Sequence, residues 1–532
     1  MHNQQLKALE GDAVTDSLPV VIGNNGHKDV NIPHGSDDMS TYSKFLTIYS
    51  RCPETYMLYN AEVKQNTNFD TKWDEFAAVL KNTKGVKNSN CIVEYMIPSS
   101  EAEKFIGISG VAIKVSEYVK DGEEQVRGAV TTVENENEFN DWFIWHILDQ
   151  ARLDNSALPK RNIAVTEGKD YAKMVTDFFA SELKNAIKED EWGLGGYEYF
   201  MNRVKYYTDR NARIEAVLPA FPCKSSNMQK VNGKLPDKGE EFALRTLLKF
   251  AEDVCAFYPP GMKVWIVSDG HVFSDCIGVD DDEVDNFTAN LHKLYKGIAK
   301  KDNNMIGFYG LKDVFFNGAA AGKFDTNWVS DVEVDHYCGT KICPDSELCR
   351  KILIKGCDTD DGRLRKQIEI PDHPRLHLYR GFSRFMAEDL CLLPFFQNVS
   401  RKYFKKAVCK VAFNMIKRND AYSNLVELVF PHHLRLSIHA HTNAGPKFGV
   451  KVVSPKICKT VKSLDSDDVP TFDDLLHIPT PWHNCVVRIG DDYYLAKNKV
   501  VTDALESGRY KGEWKEGDIS RGEGGHWVIN RV

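Results

Sequence analysis

The sequence lacks the features that would assign it to several specialised classes of protein. It has no apolar run approaching the roughly 20 residues of a membrane-spanning helix, and its start lacks the pattern of a secretion signal. Its 13 cysteines include no C-x-x-C pair, and 68 basic against 76 acidic residues leave no basic excess for nucleic acid. These absences predict a soluble cytoplasmic protein with small-molecule partners, no nucleic-acid partner and no membrane.

Familiar catalytic signatures are also missing. The segment 318–323 is one residue too short for a phosphate-binding P-loop, and there is no H-E-x-x-H pair. The segment 336–357 holds one histidine and four cysteines, but their spacings do not match the ligand pairs of structural zinc sites. No metal site is predicted.

Three regions differ in their pattern. Residues 1–40 mix Gly, Pro, Asn and Asp without apolar periodicity, which predicts a disordered arm. Residues 41–160 combine strand-like runs with a helical stretch at 139–153, which predicts a small α+β region. Residues 161–532 are predicted to form one catalytic domain.

Strand-like and helix-like segments alternate in the middle of the chain. Asp237 with Glu240 three residues on predicts the start of a helix, and the Pro-Pro-Gly at 259–261 predicts its end. The alternating segments are strands at 213–218, 263–267 and 305–311 with helices between them. This order predicts an α/β fold with a mostly parallel, Rossmann-like sheet and flanking helices. A helical pair at 400–430 and a β-containing C-terminal portion, with a hairpin across Gly490, complete the expectation.

Ligands of such sheets bind beyond the carboxyl ends of the strands, where the polar segments 221–227 and 268–275 are predicted as loops. Their candidate residues are Lys224, Ser225, Asn227, Lys230, Asp269 and His271. For Lys224, an anion pocket or buried base and a solvated loop lysine are equally compatible with the local sequence.

The strongest local signal is the segment 432–448. As a strand, it would place Arg435, Ser437, His439 and His441 on one face and apolar residues on the other. Histidines suit proton transfer and an arginine fork suits a carboxylate or phosphate. The alternative is a strand with one wetted face, which carries Lys, Glu and Thr more often than Arg with two histidines.

Seven short motifs follow one another in the sequence. They are FPCKSSN at 221, KLPD at 234, YPPG at 258, SDGHVFSD at 268, YRGFS at 379, RLSIHAHTNAGPKF at 435 and TPWHN at 480. Together they resemble the pyoverdine/dityrosine biosynthesis family, the isocyanide synthases, over residues 200–484. The resemblance implies an enzyme without metal or redox cofactor that joins the α-amine of an aromatic amino acid to a carbon from ribulose 5-phosphate.

The chain is long for a bacterial member of this family, and in this respect it resembles the fungal dityrosine branch. That resemblance implies L-tyrosine as the substrate, N-formyl-L-tyrosine or its isocyanide as the product, and a cytochrome P450 acting downstream in spore-wall synthesis. Two alternatives remain open, a fungal isocyanide synthase of a xanthocillin-like pathway and a non-catalytic relative that binds an amino acid. No motif of a nucleotide-dependent formyltransferase is present.

The resemblance also distributes roles among the candidate residues. The expected catalytic residues are Lys224, Asp269, His271, His439 and His483. The expected substrate-binding residues are Ser225, Asn227, Lys230, Arg380, Arg418, Arg435, Ser437 and Lys447. We expect Lys224 and Arg435 to meet phosphate or carboxylate, and His439 and His483 to transfer protons.

Overall fold

A computed structural model gives the architecture. It describes residues 169–209, 211–299, 304–316, 329–330, 332–357, 361–430, 433–461, 464 and 479–532, together with six strands between 46 and 131. The arm predicted at 1–40 and the helix predicted at 139–153 lie outside these residues, and the predicted domain boundaries stay predictions. None of the described helices is both long and apolar enough to cross a membrane.

The strands form three sheets. Their bounds are β1 Leu46–Tyr49, β2 Tyr56–Tyr59, β3 Lys87–Asn88, β4 Ile92–Pro98, β5 Val111–Lys120, β6 Glu123–Thr131, β7 Ile214–Pro219, β8 Met262–Val267, β9 Ile306–Tyr309, β10 Leu434–Ser437, β11 Phe448–Gly449, β12 Cys458–Thr460, β13 Cys485–Ile489, β14 Asp492–Ala496, β15 Tyr510–Lys515 and β16 His526–Arg531. The N-terminal sheet is antiparallel, in the order β1-β2-β5-β6-β4-β3.

Helices connect and cover these strands. Their bounds are α1 Tyr171–Glu182, α2 Gly196–Thr208, α3 Lys238–Phe257, α4 Gly270–Ile277, α5 Asp281–Ala299, α6 Leu311–Phe316, α7 Pro344–Cys357, α8 Asp361–Glu369, α9 Pro374–Leu390, α10 Pro394–Gln397, α11 Arg401–Val429 and α12 Asn498–Glu506.

The central sheet confirms the predicted fold class. Its order is β11-β10-β7-β8-β9, and every pair of neighbours is parallel. Val217 and Val267 point to a core with α4, α7, α9 and α11. Leu218 and Val264 point to the opposite core, with α1, α2, α3 and α5. Because both faces of the sheet are covered by helices, its strands are mostly apolar on both sides; Glu215, Lys263 and Arg435 are buried exceptions.

The helix α3 begins and ends where the sequence predicts. The Asp237 side chain accepts a hydrogen bond from Gly239 N, and the Glu240 side chain accepts one from Asp237 N, which is a capping box. The helix ends at Phe257, and Gly261 follows in the left-handed region at φ 75°.

Three local predictions were wrong. The segment 268–275 is mostly helix α4 rather than a loop, because Asp269 sits at its N-cap and its next residues bury their side chains. The segment 400–430 is one continuous helix, α11, instead of a pair. The strand containing Arg435 ends at Ser437, so His439 and His441 follow in irregular chain and do not continue its face.

The C-terminal sheet has the order β12-β14-β13-β16-β15. The strands β13 and β14 pair antiparallel around Gly490, whose φ of 61° suits glycine, and this confirms the predicted hairpin. The last strands also meet the central domain, since Gly524 N donates to Glu241 Oε2 and Lys238 N donates to Gly525 O. This sheet therefore rests on the start of α3.

Candidate active site

The carboxyl ends of β7, β8 and β10 bring the main candidates together. Arg435 pairs in register with Val217, and Val267 pairs with Pro219. Asp269 follows two residues after Val267, so it lies at the same edge of the sheet as Arg435. The charge of Arg435 indeed acts on the pKa of Asp269.

The segment 221–227 is held in an unusual conformation. Phe221 has a φ of 59°, in the region that disfavours a bulky residue. Its ring packs 5.1 Å from the ring of Trp482, and Ser225 N donates to Trp482 O at 2.9 Å. These contacts attach the segment to the 3-10 turn at 481–483.

Lys224 is fully engaged by other protein groups. Its Nζ lies 2.7 Å from both Asp237 Oδ2 and Glu240 Oε2 and donates to Pro481 O at 3.0 Å. Burial disfavours its charged form, but attraction to the two carboxylates outweighs burial and raises the pKa of Lys224. All three of its ammonium hydrogens have acceptors, so these contacts favour a positioning role over the predicted contact with an anionic substrate.

The other predicted residues of this segment converge on Asp389 of α9. Lys230 Nζ lies 2.5 Å from Asp389 Oδ1, and Asn227 Nδ2 donates to the same oxygen at 3.2 Å. Ser225 Oγ donates to Asp389 Oδ2 at 3.3 Å. The Lys230 ammonium also lies 4.0 Å from the centre of the Phe385 ring. Asp389 thus fixes the segment to α9.

His483 lies beside this cluster. Its ring meets Phe385 edge to face at 5.1 Å, and its backbone carbonyl accepts a hydrogen bond from Lys497 Nζ at 2.6 Å. Burial, followed by the charges of Lys497 and Lys230, lowers the pKa of His483 well below its ordinary value. The imidazole is therefore neutral at pH 7, and its buried Nδ1 has no hydrogen-bond partner among the described residues.

We infer that side chains from these segments line one cleft, because Arg435 acts on the pKa of Asp269, Lys447 on that of His439, and both His439 and Lys497 on that of His483. Four of them are at least partly accessible to water and yet have burial as the largest influence on their pKa: Asp269, His439, His483 and Lys497. Accessibility combined with dense surroundings is expected of side chains in a concave site. Burial raises the pKa of Asp269 to about 6, while burial and the charge of Lys447 lower that of His439.

The strand end supplies the cationic wall. Arg435 is largely buried at the end of β10, and Lys447 Nζ donates to Ser423 Oγ at 2.5 Å. Ser437 Oγ accepts a hydrogen bond from His439 N at 3.2 Å, so its contact shapes the turn that presents His439. The pKa of His441 is lowered to about 4 by burial, His439, Lys447 and Arg435. Neutral imidazoles beside fixed cations can accept protons from a bound anionic substrate.

Three predicted residues lie elsewhere. His271 contacts Asp285 Oδ1 at 2.8 Å and Asp281 Oδ1 at 3.5 Å, on the α5 side. Arg418 is buried with both terminal nitrogens on Asp275, at 2.5 and 2.9 Å. Arg380 is exposed on α9, and no described hydrogen bond or ion pair joins it to the cleft. Their roles stay predictions, and for His271 and Arg418 the contacts favour a structural role.

Asp275 is the centre of a buried ionic network. Besides Arg418, it contacts Arg350 Nε at 3.3 Å and His336 Nδ1 at 2.9 Å. Although burial opposes ionisation, the charge of Arg418 and hydrogen bonds from His336 and Arg418 hold the pKa of Asp275 well below its usual range. Arg350 also pairs with Asp281. This network ties α4 to α7 and α11. Within the described part of the chain, no group of three or more His, Cys, Asp or Glu side chains could hold a metal ion.

A second cavity of about 470 Å³ opens on the far side of this network. Its lining includes Arg365, Lys410 and Lys417 with Tyr379 and Phe413. Lys410 is exposed, and its ammonium lies 5.3 Å from the centre of the Tyr337 ring. The cavity shares no residue with the cleft around His439.

Sequence reasoning missed Lys497. It occupies the N-cap of α12 and belongs to none of the seven motifs. Burial, then the charge of Lys230, lowers its pKa to about 8. Its place in the cleft depends on contacts distant in sequence, since Asn498 Nδ2 donates to Met228 O and Asn498 N to Lys230 O.

The chain matches a known protein family over the region that holds these residues. The model of the family described as pyoverdine/dityrosine biosynthesis protein matches residues 204–508, which contain every residue of the cleft. The chain belongs to this family. The match confirms the resemblance seen in the motifs.

One relative is similar well beyond the matched region. The chain is 58% identical over 510 residues to the spore wall maturation protein DIT1 of Saccharomyces cerevisiae, covering 95% of this chain and 94% of the relative. It is 29% identical to an L-tryptophan isonitrile synthase of Fischerella ambigua, covering 56% of this chain and 74% of that protein. It is also 29% identical to an L-tyrosine isonitrile synthase of Xenorhabdus nematophila, covering 57% and 77%.

The fold has a counterpart among solved structures. The crystal structure of the PvcA protein from Pseudomonas aeruginosa superposes with a TM-score of 0.51 at 25% identity, covering 66% of this chain and 99% of that chain. The family fold thus accounts for about two thirds of the chain.

Proposed function

We propose that this protein transfers the carbonyl carbon of ribulose 5-phosphate to the α-amine of L-tyrosine, for dityrosine synthesis in a spore wall. The product is N-formyl-L-tyrosine or the corresponding isocyanide. The observation that carries the proposal is the convergence of Arg435 and Lys447 with neutral His439 and His483 around one cleft.

The charges of the cleft suit this pair of substrates. A sugar phosphate and an amino-acid carboxylate are both anions, and Arg435 and Lys447 supply cations at the sheet edge. Neutral imidazoles accept the protons that must leave the condensing amine and the sugar carbons. Asp269, whose pKa of about 6 lies near neutrality, suits a group that changes protonation during turnover.

The choice of the spore wall is supported by the similarity to the yeast spore wall maturation protein over nearly the full chain, and the choice of tyrosine by the similarity to an L-tyrosine isonitrile synthase. The similarity to isonitrile synthases acting on tyrosine and tryptophan supports the one-carbon chemistry. A cytochrome P450 would couple the product downstream. Release of an isocyanide, as in a secondary-metabolite pathway, is the second candidate, and it is favoured by those same synthases.

The test is mass spectrometry of purified protein incubated with L-tyrosine and ribulose 5-phosphate carrying carbon-13 at the carbonyl carbon. We expect a tyrosine derivative with one labelled carbon, whose mass separates formamide from isocyanide. Omitting each substrate in turn, and replacing tyrosine by tryptophan, are the controls. A folded protein that gives no labelled product contradicts the proposal and favours a binding function.

A further inference from the structure

Three lysines meet at the corner formed by loop 221–230 and the turn at 481–483, and they differ in their partners. Lys224 is bound by two carboxylates and a carbonyl. Lys230 is paired with Asp389. Lys497 makes no ion pair with a described residue, and its one hydrogen bond runs to the carbonyl of His483.

The position of Lys497 is fixed by contacts of its neighbour in the chain. The next residue, Asn498, donates from its backbone to Lys230 O at 3.1 Å and from Nδ2 to Met228 O at 3.0 Å. Asn498 Oδ1 accepts a hydrogen bond from Trp527 Nε1 at 2.9 Å. The backbone beside Lys497 is thus held between the loop 221–230 and the last strand. The half-buried Lys497 side chain extends from it to the backbone carbonyl of His483.

This environment shifts Lys497 towards the neutral amine and lowers its pKa to about 8. Burial opposes the charge, and Lys230 repels it. A lysine must be neutral to act as a nucleophile, and desolvation beside another cation is an established way to activate one. The charge of Asp389 acts in the opposite direction on the pKa of Lys497, but this carboxylate is paired with Lys230, and burial and the Lys230 charge outweigh it.

We propose that Lys497 is a catalytic nucleophile that holds the ketone of the sugar phosphate as an imine, before the amino acid attacks. The inference rests on the proposed function, because it takes a phosphorylated ketose as substrate. The Lys497 nitrogen forms a bond to the carbonyl carbon, and the carbonyl oxygen leaves as water. Amine, ketone and one proton thereby become a protonated imine and water.

The amino acid then replaces the lysine. Its α-amine adds to the protonated imine, which is a better electrophile than the ketone, and the Lys497 amine leaves with the proton. This exchange of one amine for another needs no oxidant or reductant. His483, with an unpartnered Nδ1 among the described residues and its carbonyl on Lys497 Nζ, is placed to carry the protons that move between the two nitrogens and oxygen.

The test is reductive trapping. The full-length protein is incubated with ribulose 5-phosphate and sodium cyanoborohydride without amino acid, digested, and its peptides are sequenced by mass spectrometry. We expect Lys497 to gain the mass of the sugar phosphate less one oxygen atom. Lys499, which is exposed two residues away and paired with Asp503, is the internal control and should stay unmodified.

A substitution of Lys497 distinguishes a nucleophilic role of this residue from a structural one. Lys497→Arg keeps a cation that can reach His483 O but cannot form an imine, so we expect turnover to fall on the order of 10³-fold or more with thermal stability unchanged. Lys499→Arg should keep wild-type turnover. Turnover of Lys497→Arg within about threefold of wild type would overturn the inference.

The labelled-product assay distinguishes the two levels of the proposal. Labelled product without a Lys497 adduct overturns the imine and leaves the proposed function standing. An adduct without labelled product supports the imine and contradicts the proposed amino-acid substrate. Absence of both overturns both.

Discussion

Lys224 Nζ and Asp237 Oδ2 lie 2.7 Å apart in the protein interior, and Asp237 is at the same time the N-cap of α3. The Asp237 carboxylate therefore holds both the start of α3 and the loop that carries Lys224. Glu240 closes the cluster, with its Oε2 2.7 Å from Lys224 Nζ. Removing the lysine leaves two acids buried at one point.

Lys224→Met should consequently be a folding defect. We expect a loss of about 3–5 kcal/mol in the free energy of unfolding, because Asp237 and Glu240 lose the cation that pairs with them among the described residues. Urea denaturation measures it. Lys249→Met, which breaks the exposed pair with Asp253, should cost less than about 1 kcal/mol. A Lys224→Met protein of normal stability that has lost substrate binding would restore the role first predicted for Lys224.

His439→Ala should affect activity without affecting stability. The side chain is accessible to water in the cleft, so its removal leaves no buried cavity, but the proton transfer assigned to it should slow turnover by about 10²- to 10⁴-fold. Initial rates and thermal melting measure the two effects. His377→Ala, at an exposed position of α9, is the matched control. Turnover of His439→Ala equal to that of His377→Ala would remove His439 from the mechanism.

These residues show which features could be predicted from the sequence. The capping box at Asp237, the alternation of strands with helices and the polar strand ends are local or periodic patterns, and they were predicted. The ion cluster joining Lys224 to that same capping box was not, because its geometry depends on how the loop folds back over the helix start. The helix in 268–275 was missed since Asp, Ser and Gly typify turns as well as first helical turns.

Lys497 was missed for a different reason. It follows a hairpin and carries no periodic signal, and it reaches the cleft through the contact of Asn498 with Met228, 270 residues away. His271 was predicted from its place beyond a strand end, and the role of Arg418 from the family resemblance. Their acidic partners, Asp275 and Asp281, are neighbours only in the folded chain.

Asp269 should make stability depend on pH. Its pKa is raised from an ordinary 3.8 to about 6 in the folded chain, so its favourable contribution is complete below pH 4 and is lost as the pH rises through 6. Asp269→Asn should therefore be more stable than wild type at pH 8 by about 1–3 kcal/mol, with the difference vanishing near pH 4. Urea denaturation across this range measures it. A variant less stable than wild type at pH 8 would contradict the raised pKa.

Asn498→Ala should disturb the cleft indirectly, through the chain that carries Lys497. Its side chain joins Met228 O to Trp527 Nε1, so its loss removes two contacts that hold the chain next to Lys497 and leaves partly buried polar groups without these partners. We expect about 1–3 kcal/mol of destabilisation and a fall in turnover of about tenfold or more from misplaced catalytic groups. Trp527→Phe, which removes only the indole N–H, should show a smaller effect in the same direction. Unchanged turnover in both variants would show that the C-terminal strands do not position the catalytic groups.

Substitutions of charged residues can test whether the cleft or the second cavity binds the phosphate. If the sugar phosphate binds in the cleft, Arg435→Lys should raise KM for ribulose 5-phosphate by about 10-fold or more, because lysine cannot reproduce a bidentate contact with phosphate. Lys410→Glu, in the second cavity, should leave that KM within about twofold, since an exposed charge at a separate site acts weakly through water. Initial rates at varied ribulose 5-phosphate and saturating tyrosine give both values. The reverse pattern, with KM raised by Lys410→Glu and unchanged in Arg435→Lys, would move the phosphate from the sheet edge to the cavity between α8 and α11.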